Sequence, residues 1–172
     1  TNPKSPTNVG GVLRAAGCFG ADRILYTGNR YNKARKNSAK GSSRQSIRHS
    51  TDTQKISDTI GLEHVACFVE EKPRDAALVC VDLVEGATPL PEFQHPEQAF
   101  YVFGPEDGSI RQELIDKADH VVYMPTQGSL NLAASVNVLL YDRQAKTQTL
   151  EIGDDLIRNS RDVNNRLRVK SA

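Results

Sequence analysis

The sequence predicts an α/β domain built on a mostly parallel sheet flanked by helices. Short β-branched and aromatic runs alternate along the chain with helix-patterned or polar segments, the succession from which parallel sheets are built. The stretch Val121–Asp142 then passes from an apolar run through one polar turn into a segment of period 3.6, so a strand's carboxyl end feeds a helix start. At 172 residues, 38% hydrophobic and 25% charged, the chain suffices for one sizeable core, and no internal repeat or low-complexity linker divides it. We therefore expect a single domain over 1–172, with a polar extension from about residue 146.

The elements follow in order. Asn8 is placed to cap a helix to Phe19, with Val9, Leu13 and Ala16 as its buried stripe and Gly20 as its stop. Strands are expected at Arg23 to Tyr26, Val65 to Val69, Ala77 to Val84, Ala99 to Phe103 and His120 to Met124. Further helices are expected at Thr53 to Ile60, Ile110 to Lys117 and Asn131 to Ala145. In the last, Leu132, Val136, Leu139 and Leu140 form the apolar stripe. Asp154 to Lys170 is either one more amphipathic helix or a frayed tail.

The net charge is +1, so total charge implies no partner; its distribution does. Between residues 30 and 48 stand Arg30, Lys33, Arg35, Lys36, Lys40, Arg44 and Arg48 without one acidic residue, beside Gly41, Ser42 and Tyr31. Such a segment suits phosphate binding, because each neutralised phosphate releases counterions; a solvated loop is the plainer reading. Cys18, Cys67 and Cys80 are an odd set without ligand spacing, two of them in apolar runs, which favours buried, reduced thiols and a cytoplasmic setting. The four His residues are scattered, so no metal site is expected. There is neither a membrane-length apolar run nor a signal-peptide pattern. The missing initiator Met suggests a trimmed or processed start.

Three glycine-bearing motifs stand out. In NVGGVLR, Gly10, Arg14 and Gly17 share a helix face, and close approach of a ligand to bare backbone would explain glycines where Ala is preferred. In FGPEDG a strand ends in Gly104, Pro105 and Glu106, with Gly108 ahead of an expected helix start at Ser109. In PTQGSLN, Pro125 ends a strand, and Gly128 and Ser129 are either a turn and helix cap or a ligand-binding floor. Each alone is modest. Together they could converge at one sheet edge.

In this order, N-x-G-x-x-x-R, F-G-P-E-x-G and P-x-x-G-S-L-N, the motifs resemble the SpoU/TrmH branch of the SPOUT methyltransferases, over roughly residues 2–143. The resemblance implies a deep trefoil knot at the carboxyl end, bound S-adenosyl-L-methionine, a homodimer, and methylation of a ribose 2′-hydroxyl in tRNA or rRNA. It implies catalytic roles for Arg14, oriented by Asn8, and for Glu106, Ser129 and Asn131. It also implies cofactor contacts from Val102, Phe103 and Gly104, from Tyr123, Met124 and Pro125, and from Gly128, Ser129 and Leu130. RNA would meet the basic segment. Family members have a longer loop between the proline and the serine of the third motif, and they open with a strand that here is missing or lies in removed sequence. A catalytically inactive, knotted RNA-binding protein is the alternative that the shortened loop suggests.

Overall fold

A computed structural model describes residues 1–39, 60–147, 152–161 and 163–169, leaving aside the side chains of 35 and 37–39. In chain order the elements are α1 (Pro6–Phe19), β1 (Ile24–Tyr26), α2 (Arg30–Ala39), β2 (Leu62–His64), α3 (Phe68–Glu71), β3 (Ala77–Val81) and β4 (Thr88–Pro89). A short 3-10 turn over Leu90–Glu92 follows, then β5 (Ala99–Phe103), α4 (Gln112–Ile115), β6 (His120–Tyr123), α5 (Leu132–Thr147) and α6 (Asp154–Ser160). All recorded pairings are parallel: β1 with β2, and a second sheet in the order β4-β6-β3-β5. The expected α/β architecture with a parallel sheet and flanking helices is therefore present.

β3 is the centre, and its sequence ALVCV shows why. Val79 and Val81 pack with Leu90, Phe93, Val122, Met124 and Leu139 on one face; Leu78 and Cys80 pack with Val65, Phe68, Val102 and Ile110 on the other. A strand buried on both faces has no polar side to present, so it reads as an unbroken apolar run. A third cluster of Val9, Leu13, Tyr26 and Tyr31 ties α1 to β1 and α2.

Several boundaries differ from those expected. Ser5, not Asn8, caps α1: its Oγ accepts from the Asn8 backbone N–H at 3.3 Å, and Gly20 closes the helix at φ 66°. The strand expected at Val65 to Val69 is instead Leu62–His64, paired with β1, while Phe68 opens a short helix. Val65 and Phe68 are both buried, a three-residue spacing that a short apolar run does not distinguish from a strand. Exposed Glu63 fits the edge position because its carboxylate pairs with Arg23 at 2.8 Å. β3 stops at Val81, where Asp82 turns the chain by accepting from the Leu83 N–H at 2.8 Å. The helix expected over Ile110 to Lys117 is confined to Gln112–Ile115, and the Ile110 N–H ahead of it donates to Asp82.

The segment from Arg30, expected as a binding surface or a loop, begins as helix α2. Thr53 to Thr59 of the expected second helix, with Lys40, Arg44 and Arg48, lie outside the described residues. Among the described residues of Asp154 to Lys170, only α6 is helical; it buries no residue, and 163–169 are exposed without regular structure. Among the cysteines only Cys80 is buried; Cys67 is half-buried and Cys18 exposed, because Cys18 falls on the outer side of α1. No described helix is long and apolar enough to cross a membrane.

Candidate functional site

Adjacent parallel strands place their carboxyl ends side by side, and here β6, β3 and β5 deliver three turns to one sheet end. Between them lies a cavity of about 140 Å³. Val81, Asp82 and Leu83 come from β3 and its exit, Phe103 to Glu106 and Gly108 from β5, and Met124, Thr126, Ser129 and Leu130 from β6. Leu132 and Ser135 of α5 complete the lining. The lining mixes apolar side chains with hydroxyls and two carboxylates, Asp82 and Glu106, a mixture that suits a ligand with both apolar and polar parts.

Of the residues singled out beforehand, the cavity collects Phe103, Gly104, Glu106, Met124, Ser129 and Leu130. It does not collect Val102, which is buried in the core, nor Tyr123, Pro125 and Gly128, which fall outside the lining. Gly128 is exposed, and a Cβ added there meets nothing within 4 Å. Gly104 is different. A Cβ there would come within 2.7 Å of Asp82 Oδ2, so the glycine is what lets the β3 and β5 exits close together.

Asp82 escaped sequence reasoning, although a lone carboxylate at the end of ALVCV was the signal. Its Oδ2 accepts from the Ile110 N–H at 2.7 Å while Oδ1 takes Leu83, so one side chain organises both loops on that side of the cavity.

The first and second motifs meet at Glu106. Its Oε1 accepts from Asn8 Nδ2 and from the Ser5 N–H, both at 3.1 Å, and its Oε2 accepts from the Lys4 N–H at 2.7 Å. A carboxylate at the amino end of α1 also meets the positive end of the helix dipole. Burial pushes its pKa up, but the bonds from Asn8, Lys4 and Ser5 prevail and hold it below the usual glutamate value. Glu106 is thus held as a carboxylate that anchors the entry of α1.

Arg14 projects from α1 into solvent and lines neither this cavity nor any recorded contact among the described residues. Gly11, next to the Gly10 of that face, answers to packing. A Cβ on Gly11 would sit 2.7 Å from Ala133 Cβ, so α1 and α5 cross where both have their smallest side chains. Gly10 is buried in the same helix.

In the third motif, Asn131 is the structural cap of α5: its Oδ1 accepts from the Ala134 N–H at 2.8 Å. Thr126 Oγ donates to the Gly128 carbonyl at 2.6 Å and closes the turn, leaving the Ser129 side chain on the cavity.

At the basic segment, Arg30 is committed. Its guanidinium grips Asp107 with two bonds of 2.6 and 2.9 Å, with Lys4 Nζ 3.6 Å from the same carboxylate. The Arg30 hydrogen bond holds the Asp107 pKa below its ordinary value. Lys33 and Lys36 are exposed on α2. Among the described residues no group of His, Cys, Asp or Glu is arranged to hold a metal ion.

The sequence model of the SpoU rRNA Methylase family matches residues 1–141. No curated protein matches the chain. Among solved structures, an AdoMet-bound rRNA methyltransferase from Sinorhizobium meliloti superposes with a TM-score of 0.69 at 19% identity, covering 87% of this chain and 55% of that one. The A. aeolicus TrmH/SpoU tRNA modifying enzyme gives 0.66 at 20% identity, over 86% and 72%. A structure concerning 2-OH methylation of C/U34 on tRNA gives 0.66 at 23% identity, over 86% and 92%. The chain thus spans about half the length of the Sinorhizobium protein and nearly all of the last. At these identities the likeness establishes a shared fold.

Proposed function

The chain belongs to the SpoU rRNA Methylase family, and we propose that it transfers a methyl group from S-adenosyl-L-methionine to a ribose 2′-hydroxyl of tRNA or rRNA. The observation that supports this most is the convergence of the FGPEDG and PTQGSLN turns on one cavity. Its apolar side, Val81, Phe103, Met124 and Leu130, suits an adenine; Thr126, Ser129, Ser135 and the turn backbone suit the polar remainder. Cofactor pockets usually run to roughly 300–1,000 Å³, so the exposed turn at 125–131 has to serve as a further wall.

The cofactor supplies an electrophilic methyl group, which leaves the protein to align the ribose and manage its proton. Arg14 stays protonated at any ordinary pH, so it acts by gripping phosphate and by stabilising the oxygen that loses its proton. Glu106, with both oxygens occupied, holds the first motif against the second and leaves the proton to water. Asn8, through its bond to Glu106, fixes the first turn of the helix that carries Arg14, and Asn131 sets the start of α5.

In this reading the chain is one domain with a deep trefoil knot at its carboxyl end and a homodimer in the cytoplasm. Exposed Val138 and Tyr141, three residues apart on α5, are 43% and 63% accessible and offer an apolar face to a second copy. Arg14 then serves the partner's cavity, in keeping with its absence from the lining of its own. Lys33, Lys36 and the basic residues after them meet the RNA backbone. No observation favours the inactive alternative.

Isothermal titration with S-adenosyl-L-methionine tests the reading at its base. One site per chain is expected, lost in Leu130→Arg; absence of binding to the folded chain contradicts it.

A further inference from the structure

The cavity at the strand ends carries charge of one sign. Asp82 reaches it from the exit of β3 and Glu106 from the exit of β5, and among the described residues no lysine, arginine or histidine lines it. Neighbouring cations are engaged elsewhere: Lys4 and Arg30 pair with Asp107, which lies outside the lining. The Thr1 amine feels both carboxylates, but burial pushes its pKa down to about 6, so it is mostly neutral at pH 7. Among the described residues neither Asp82 nor Glu106 forms a salt bridge. Both are instead fixed by N–H donors, Asp82 by those of Leu83 and Ile110 and Glu106 by those of Asn8, Lys4 and Ser5. Such bonds hold a carboxylate in place without cancelling its charge.

Resting on the methyl-transfer reading, we propose that Asp82, seconded by Glu106, is a specificity residue that makes this cavity prefer the sulfonium cofactor to the S-adenosyl-L-homocysteine left after transfer. The two compounds differ by one methyl group and one positive charge. As the C–O bond forms and the S–C bond breaks, its electron pair stays on sulfur and the hydroxyl proton goes to water, so the sulfur becomes neutral. Adenine, ribose and the amino-acid end are common to both compounds. Charge at the sulfur is therefore what two carboxylates can tell apart.

The setting makes that charge count. A cavity of about 140 Å³ keeps any bound charge within a few ångströms of its walls, and apolar walls such as Val81, Phe103 and Met124 extend the reach of a carboxylate. Asp82 is seated there by Gly104, where a Cβ would come within 2.7 Å of Oδ2. One guanidinium brought from a second copy still leaves two carboxylates against one cation. Because the attraction is complete before any bond changes, it serves binding and product release, not the barrier. In Asp82→Asn the KM for the cofactor therefore rises and kcat does not fall with it.

Isothermal titration without RNA, at low ionic strength, with S-adenosyl-L-methionine and separately with S-adenosyl-L-homocysteine, tests it. The parent is expected to bind the first about fivefold or more tighter, the scale of one partly solvated charge pair. Asp82→Asn also loses an acceptor for one backbone N–H, so both affinities fall; the ratio between them is what a change of shape alone does not move, and it is expected to drop toward one. Leu83 lines the rim and is 59% exposed, so Leu83→Lys adds a cation without disturbing the bonds of Asp82. It should lower the ratio as well, and Leu83→Gln should not. An unchanged ratio in folded Asp82→Asn or in Leu83→Lys overturns the proposal; where Asp82→Asn does not fold, Leu83→Lys decides alone. Equal binding of the two compounds by the parent overturns this inference and leaves the methyl-transfer reading standing, whereas binding of neither by the folded chain removes both.

Discussion

Asn8 donates its side-chain amide to Glu106 Oε1 at 3.1 Å across 98 residues of sequence, joining two motifs that sequence alone could only set side by side. The same carboxylate receives the backbone N–H groups of Lys4 and Ser5, so it secures the entry of α1 against the exit of β5.

Glu106→Ala is expected to destabilise the fold by about 1–3 kcal/mol at pH 7, because partly buried donors lose their acceptor. Its folded pKa is depressed, so the stability it contributes is present above the unfolded glutamate value and is lost as pH falls through the folded one. Urea unfolding between pH 7 and pH 3 is the check: the Glu106→Gln protein loses less stability over the acid range than the parent. Equal acid sensitivity in the two would remove Glu106 from this role.

Gly11→Ala should weaken the α1–α5 crossing. The new methyl lands 2.7 Å from Ala133 Cβ, and overpacking of this kind costs about 1–3 kcal/mol, more than the roughly 1 kcal/mol that Ala gains over Gly in a helix. Ala133→Gly in the same chain should restore part of the loss. A double-mutant cycle by thermal denaturation measures the coupling, and strict additivity of the two changes would mean the helices do not meet there.

RNA affinity should depend on α2. Reversing Lys33 and Lys36 to Glu is expected to reduce the salt slope of binding by between one and two, since two phosphate contacts are lost. Cofactor affinity should be unchanged. Arg30 is left out because Asp107 already holds it. An unaltered slope in filter-binding titrations from low to moderate salt would return α2 to the status of a solvated helix.

The sheet was legible because its centre is chemically extreme: ALVCV and AFYVF admit little except buried parallel strands, and Ala99–Phe103 appears at the boundaries expected. The Leu62–His64 strand was not legible, since polar Glu63 and His64 satisfy an edge position through Arg23 and the Gly28 carbonyl, contacts invisible in local pattern. In the site, the turns at Gly104 and Ser129 were legible from glycine and proline at strand ends. The role of Asp82 was not, because its two acceptors serve backbone groups one and twenty-eight residues away. The packing role of Gly11 was not legible, because Ala133 lies on a helix that only the fold brings near.

Arg14 does not line the cavity of its own chain, so a site shared between subunits makes a sharp expectation. Arg14→Ala and Ser129→Trp are each expected to reduce methyl transfer by at least about a hundredfold, the scale of losing one charge-stabilising group. Mixed under conditions that exchange subunits, they should regain activity, because the mixed dimer pairs an intact arginine with an intact cavity. With exchange confirmed, continued inactivity would place Arg14 in its own chain's site.

The reaction itself is tested most directly by incubating the chain with RNA and S-adenosyl-L-methionine carrying a labelled methyl group, then digesting the RNA in alkali. Alkaline cleavage needs a free 2′-hydroxyl, so a methylated ribose leaves its own phosphodiester intact and the label travels in an alkali-resistant dinucleotide. The account predicts that product, and its loss in Arg14→Ala. Label recovered wholly in mononucleotides, on a base, would contradict ribose as the acceptor; no label in RNA from a chain that binds the cofactor would contradict methyl transfer to RNA altogether.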